Sequence, residues 1–269
     1  MQLARTMRTW WRDQSREHGA AHALGLLSRE LWGFVRDSTP ERRRRRYGDM
    51  EYDWSHRVDT TSGSVRWRER LLGTFLSGYQ PTDPATFREM MAALPIDFRE
   101  YTFVDLGSGK GRTLLMASEY PFRKIVGVEV LPALHQIAEE NLDRYKSQSQ
   151  KCFALEALCT DATEFAFPAE PLLVYLFNPL PESGLRRAIA RLEKSVVTHP
   201  RPVYVLYYNP VLERVLGESA VLTKLSGTTR YSLFGALTGP SNDRNAWGRN
   251  QSQLNHRDNR SSGREGEGS

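Results

Sequence analysis

Four short stretches of this 269-residue chain place acids, glycines and amides where a ligand could be held. They are Asp105-Leu106-Gly107-Ser108-Gly109-Lys110-Gly111-Arg112, then Glu129, then Asp161-Ala162, then Asn178-Pro179. Glycines at alternate positions let the backbone turn sharply and come close to a ligand that side chains would keep away. A helix starting after Gly111 offers unpaired N–H groups to a polar or negative group. Glu129 lies 18 residues beyond Gly111, and a carboxylate there can accept both hydroxyls of a ribose.

Each stretch follows an apolar, β-prone run. Phe103-Val104 and Leu106 precede the glycines, Ile125-Val126-Gly127-Val128 precedes Glu129, residues 153–159 precede Asp161, and Leu172-Leu173-Val174-Tyr175-Leu176-Phe177 precedes Asn178. Between them run helical patterns at 111–120, 132–146 and 182–198, with Pro132 near the start of the second. A further strand is expected at 203–208, a short helix at 211–216, and an antiparallel closing pair at 220–225 and 229–234. Alternating strands and helices predict a doubly wound, mainly parallel α/β sheet of seven strands. Loops that follow its strands gather at the carboxyl edge, where open α/β sheets bind ligands.

The glycine spacing separates three ligand classes. A dinucleotide fingerprint reads G-x-G-x-x-G, and the third glycine here comes one residue early. A P-loop needs G-x-x-x-x-G-K-[ST], whereas Lys110 sits between glycines. The pattern D-x-G-x-G-x-G resembles motif I of the class I, Rossmann-like S-adenosylmethionine (SAM) methyltransferases. With Val126-Gly127-Val128-Glu129 after it, it is similar to the non-SET lysine methyltransferases over about residues 79–177. This resemblance implies SAM as cofactor. It places Asp105, Gly107, Ser108, Gly109 and Gly111 at the methionine end, Glu129 at the ribose, and Asp161 with Ala162 at the adenine. The Tyr79-Gln80-Pro81-Thr82 turn resembles the segment before motif I in several relatives, which puts Tyr79 and Thr82 beside the methionine end. Thr82 is also a candidate N-cap for a helix over 85–94.

The loop after the fourth strand is where the resemblance places the methyl acceptor. Phe177-Asn178-Pro179-Leu180 partly matches the [DNS]-P-P-[YFW] loop of amino-group methyltransferases: Leu180 replaces the second proline and no aromatic follows, so the aromatic is expected from Phe177, or from Tyr207 or Tyr208 next to Asn209-Pro210. Asn178 is the candidate catalytic residue, its side-chain oxygen holding an acceptor amine, with Phe177 and Pro179 beside it. Tyr52 is a further acceptor-side candidate, with Trp54 and His56, because the segment before motif I forms a lid in many relatives. An amine acceptor, a protein lysine or a small molecule, is the first expectation. A nucleobase acceptor, a SAM-binding interaction or RNA-binding module without catalysis, and a nicotinamide oxidoreductase are the alternatives. No metal is expected.

The ends of the chain have another character. The first 70 residues carry 15 Arg and 10 acids, which accounts for the whole formal charge of +5. They include an apolar helical stripe through Leu24, Leu27, Leu31 and Phe34 and the run Arg42 to Arg46, suited to an acidic partner. Residues 48–61 show no periodicity and are expected to be irregular; Trp67 to Leu76 reads as another helix. From Gly239 the composition turns polar and Gly/Ser-rich, expected to be disordered. The expected domains are therefore a basic N-terminal extension over 1–78, a SAM-binding domain over 79–238 and a tail over 239–269. No apolar run reaches 18 residues, so no membrane span is expected. Cys152 and Cys159 lack zinc spacing and suggest reduced thiols in a cytoplasmic protein.

Overall fold

The computed structural model describes residues 50–61 and 81–236. The expected N-terminal helix, the Arg42–Arg46 run, the Trp67 helix, Tyr79 and the tail from residue 239 lie outside the described residues.

Helix α1 (Met50–His56) is followed by α2 (Pro84–Ala92) and a 3-10 turn (Phe98–Glu100). Then come β1 (Thr102–Leu106), α3 (Arg112–Ala117), β2 (Lys124–Glu129), α4 (Pro132–Arg144), β3 (Leu155–Cys159) and β4 (Leu172–Leu176). The order finishes with α5 (Glu182–Thr198), β5 (Val203–Tyr208), α6 (Glu213–Gly217), β6 (Thr223–Gly227) and β7 (Tyr231–Ala236). The seven strands form one sheet in the order β3-β2-β1-β4-β5-β7-β6. Pairings from β3 through β5 are parallel, and β7 runs antiparallel to β5 and β6.

The strand period of two sorts side chains onto two faces. Val104, Leu106, Val126, Val128, Leu172, Val174, Leu176, Val203 and Val205 face Leu185, Ile189, Leu192 and Val196 of α5. Phe103, Ile125, Leu173, Tyr175 and Leu206 face Phe87, Met90 and Met91 of α2 and Leu114 and Met116 of α3. Both faces are covered, so β1 and β4 are buried along their whole length and read as continuous apolar runs. Chain order reverses between β1 and β4, which makes their carboxyl ends the topological switch point.

Three expectations need correction. Residues 50–56 are helical, not irregular. The helix is too short for an apolar stripe and is held by tertiary contacts: His56 stacks on Tyr145 at 5.5 Å between centroids, and the Arg112 guanidinium lies 5.0 Å from the Tyr52 ring centroid. Thr82 does not cap α2. Asp83 does, accepting from Thr86 N at 2.7 Å, while the Thr82 hydroxyl meets the Tyr175 hydroxyl at 2.7 Å. The closing strands begin two or three residues late: before β6, Glu193 Oε1 accepts from Ser219 Oγ and Ala220 N, at 2.5 and 3.0 Å, and before β7 the Thr228 hydroxyl accepts from Arg230 N and Tyr231 N, at 3.1 and 3.3 Å.

Candidate functional site

The backbone after β1 turns back at once. Gly107 N and Ser108 N both donate to Val128 O of β2, at 2.8 and 3.1 Å, and Gly111 N donates to Ser108 O at 2.8 Å. Gly107, Gly109 and Gly111 have φ of 83°, 55° and 83°, a region that costs an L side chain. At Gly107 a Cβ would also lie 2.4 Å from Pro179 Cβ, so the loops after β1 and β4 touch there and leave no room for a methyl group.

Two carboxylates are buried against this loop. Asp105 is 2% exposed and Glu129 7%. Glu129 Oε2 accepts from Gly109 N at 2.9 Å and its Oε1 from Leu131 N at 2.8 Å, which ties the end of β2 to the glycines. Burial pushes the Asp105 carboxyl up to about 8; the nearby Glu129 charge adds to this and a Thr113 hydrogen bond opposes it. Burial also raises Glu129, against hydrogen bonds from Leu131, Gly109 and Val130. Two buried acids beside the glycine loop suit a ligand that brings positive charge and hydroxyl donors. Thr82 belongs to the same neighbourhood through Tyr175, which is paired with Asp105 across the β1–β4 register.

Asp161 follows β3 and accepts from Thr163 N at 2.7 Å, fixing the turn, while Ala162 is buried in the core beside Phe165. Both stand at the same sheet edge as Glu129.

Beyond β4, Asn178 adopts φ 46° ahead of Pro179; beyond β5, Asn209 adopts φ 47° ahead of Pro210. Asparagine tolerates this left-handed region better than most residues. The two aromatic-Asn-Pro turns are linked. Asn178 Nδ2 donates to Asn209 O at 2.8 Å, Tyr207 Oη donates to Asn178 Oδ1 at 2.7 Å, and the rings of Phe177 and Tyr208 lie 4.6 Å apart. Asn178 is thus a braced carboxamide with one lone pair of Oδ1 already used. Sequence reading reached Tyr207 and Tyr208, next to Asn209-Pro210, only as a source of an acceptor-side aromatic; the bracing of Asn178 by Tyr207 and the Asn209 carbonyl is what it missed.

Tyr52 lies elsewhere on the loop's periphery. It packs near Leu115, Leu142 and Tyr145, under the Arg112 guanidinium at 5.0 Å from the ring centroid. Trp54 of the same helix is 82% exposed. The strap of residues 53–61 around Lys110 and Arg112 was also missed, because it joins positions some fifty residues apart.

Residues 78–167 match the family model described as histone methylation protein DOT1. The chain resembles the class I methyltransferases. That match contains β1 to β3 with Asp105, Glu129 and Asp161, and ends before Asn178. No curated protein matches the chain. Similar solved structures include the RNA methyltransferase from Salinibacter ruber in complex with S-adenosyl-L-homocysteine, at 18% identity over 60% of this chain and 95% of that one, with a TM-score of 0.37. Another is the ribosomal protein L11 methylase from Lactobacillus delbrueckii subsp. bulgaricus, at 15% identity over 59% and 81%, with a TM-score of 0.41.

Proposed function

We propose that this protein is a SAM-dependent methyltransferase that acts on an amine nitrogen, a protein lysine first and a small-molecule amine second. The observation that carries the cofactor reading is the buried acid pair around a glycine loop at the switch point of the sheet. Asp105 and Glu129 flank three left-handed glycines, and the family match covers this half of the site. The residues fit the cofactor. Asp105 and Thr82 suit the amino-acid end, the Glu129 carboxylate keeps lone pairs for ribose hydroxyls, and Asp161 with Ala162 borders the adenine. SAM supplies an electrophilic methyl on a sulfonium, so the protein's task is alignment more than acid–base work.

On the acceptor side, the remaining lone pair of Asn178 Oδ1 receives an N–H of the amine while Tyr207 holds the carboxamide still. Phe177 and Tyr208 form an apolar wall that favours the neutral amine. Pro179 fixes the distance between this loop and Gly107. The histone methylation match supports a protein acceptor, and the resemblance to the non-SET lysine methyltransferases makes a lysine the first candidate.

Calorimetric titration of the full chain with SAM, S-adenosylhomocysteine and NAD tests the cofactor, with Asp105→Ala as control. Binding of the first two, lost in the variant, is expected; binding of NAD alone overturns the reading. Transfer of tritiated methyl to core histones, compared with histones whose lysines have been acetylated, tests the acceptor. Label that survives acetylation refutes the lysine.

A further inference from the structure

Lys110 and Arg112 are the two cations of the glycine loop, and both are buried: 0% and 1% of their surface is exposed. They are covered by the strap of residues 53–61, which brings two carboxylates to meet two cations. Lys110 Nζ donates to Asp59 Oδ1 at 2.7 Å and to Thr61 O at 2.6 Å. Arg112 Nε donates to Thr60 Oγ1 at 2.6 Å, and its Nη2 lies 3.3 Å from Asp53 Oδ1. Asp53 gathers the strap onto itself. Its Oδ2 accepts from Thr60 N and Thr61 N, both at 2.8 Å, and its Oδ1 from the Thr60 hydroxyl. Burial alone would raise the Asp53 carboxyl, yet these Thr60 and Thr61 hydrogen bonds hold it below its ordinary value.

Asn141 of α4 fixes the register between strap and loop. Its Oδ1 accepts from Asp59 N at 2.8 Å, and its Nδ2 donates to Asp59 O at 2.8 Å and to Lys110 O at 2.9 Å. The Lys110 carbonyl sits between Gly109 and Gly111, neither of which has a side chain to restrain the peptide. On the other side the loop is tied to β2, through Gly107 N and Ser108 N to Val128 O at 2.8 and 3.1 Å and through the Gly109 amide to Glu129 at 2.9 Å. Asn141 and the strap therefore set the direction of the Lys110 peptide, while the glycines only permit it.

We infer that the strap belongs to the cofactor site: Asp59 and Asn141, acting through Lys110, and Asp53, acting through Arg112, are positioning residues that hold the glycine loop in its binding shape. This rests on the SAM reading and assigns Lys110 and Arg112 to the inside of the loop, not to a ligand's carboxylate or phosphates. Because coupling is reciprocal, cofactor binding steadies the strap to the same degree that the strap steadies the site.

The test uses the full chain and S-adenosylhomocysteine. Asp59 is half-exposed, so Asp59→Ala leaves the fold able to form; Asp59→Glu retains the charge; Glu89→Ala, which breaks the distant pair with Arg230, is the control. Affinity is measured calorimetrically at a temperature where each variant is folded, beside its melting temperature and the exchange of amides 109–112 without ligand. Asp59→Ala is expected to weaken binding roughly tenfold and to speed exchange in the loop, with Asp59→Glu restoring both and Glu89→Ala changing neither. Lys110→Met in the Asp59→Ala background adds much less than it does alone. A lowered melting temperature with unchanged affinity and exchange overturns the inference, because the strap then stabilises the fold only. If wild type binds no S-adenosylhomocysteine, the methyltransferase reading fails and the inference with it.

Discussion

Replacing Gly107 with alanine tests the meeting of the loops after β1 and β4 most directly. Gly107 has φ 83°, and a built Cβ lies 2.4 Å from Pro179 Cβ and 3.3 Å from Pro179 Cα. The left-handed backbone costs alanine roughly 1–2 kcal/mol. Overpacking adds about 1–3 kcal/mol, since a proline ring is part of the backbone and cannot swing aside as a rotamer does. The sum is about 2–5 kcal/mol. Urea denaturation of Gly107→Ala against wild type measures it, with Gly217→Ala as control because its added methyl meets nothing within 4 Å. The Pro179 loop must also retreat by about an ångström, so methyl transfer falls further than S-adenosylhomocysteine affinity does. A loss below about 0.5 kcal/mol with normal transfer refutes the close approach and the role given to Pro179.

Asp105 makes stability depend on pH. Its folded-state pKa is raised to about 8 from 3.8, so its contribution is fully present below about pH 4 and is lost as pH climbs through 8. Asp105→Asn abolishes that slope and gains on wild type by on the order of 5–6 kcal/mol between pH 4 and 9; parallel urea curves for the two proteins rule the argument out. In the proposed site Glu129→Ala removes two hydrogen bonds to the ribose hydroxyls and frees the Gly109 amide, so SAM is expected to bind more weakly by about 2–4 kcal/mol. Unchanged affinity removes Glu129 from the ribose. Tyr207→Phe unbraces Asn178 and costs about 1–2 kcal/mol of stability. Transfer drops in that variant while S-adenosylhomocysteine affinity holds, and an equal drop in both moves Tyr207 to the cofactor side.

The sheet and the loops that follow its parallel strands were legible in the sequence because they are local. Each strand announces itself by an apolar run, and the candidate residue follows within a few positions, as Asp105 leads to Gly111 and Val128 leads to Glu129. Helix α5 was read to its end residues from spacing alone. Helix α1 was not, because seven residues with no apolar stripe carry no periodic signal, and Tyr145, Arg112 and Thr60 hold them in place. The charge of Lys110 and Arg112 suggested nothing about where they point. Asn178 was singled out as a candidate by type and position, but its restraint by Tyr207 and by the Asn209 carbonyl depends on two strands lying side by side.

The sequence by itself determined the layer architecture, the gathering of the parallel strands' loops at the carboxyl edge and the identity of the acids and glycines there, since period and composition act within a few residues. Tertiary structure alone decided which loops touch, which charges are buried and which amide is locked. Pro179 against Gly107, Asp59 against Lys110 and Tyr207 against Asn178 are contacts between residues 29 to 72 positions apart. No local preference encodes them; they follow from the sheet order that sets β1 beside β4 and β4 beside β5, and from the strap that Asn141 registers on the glycine loop.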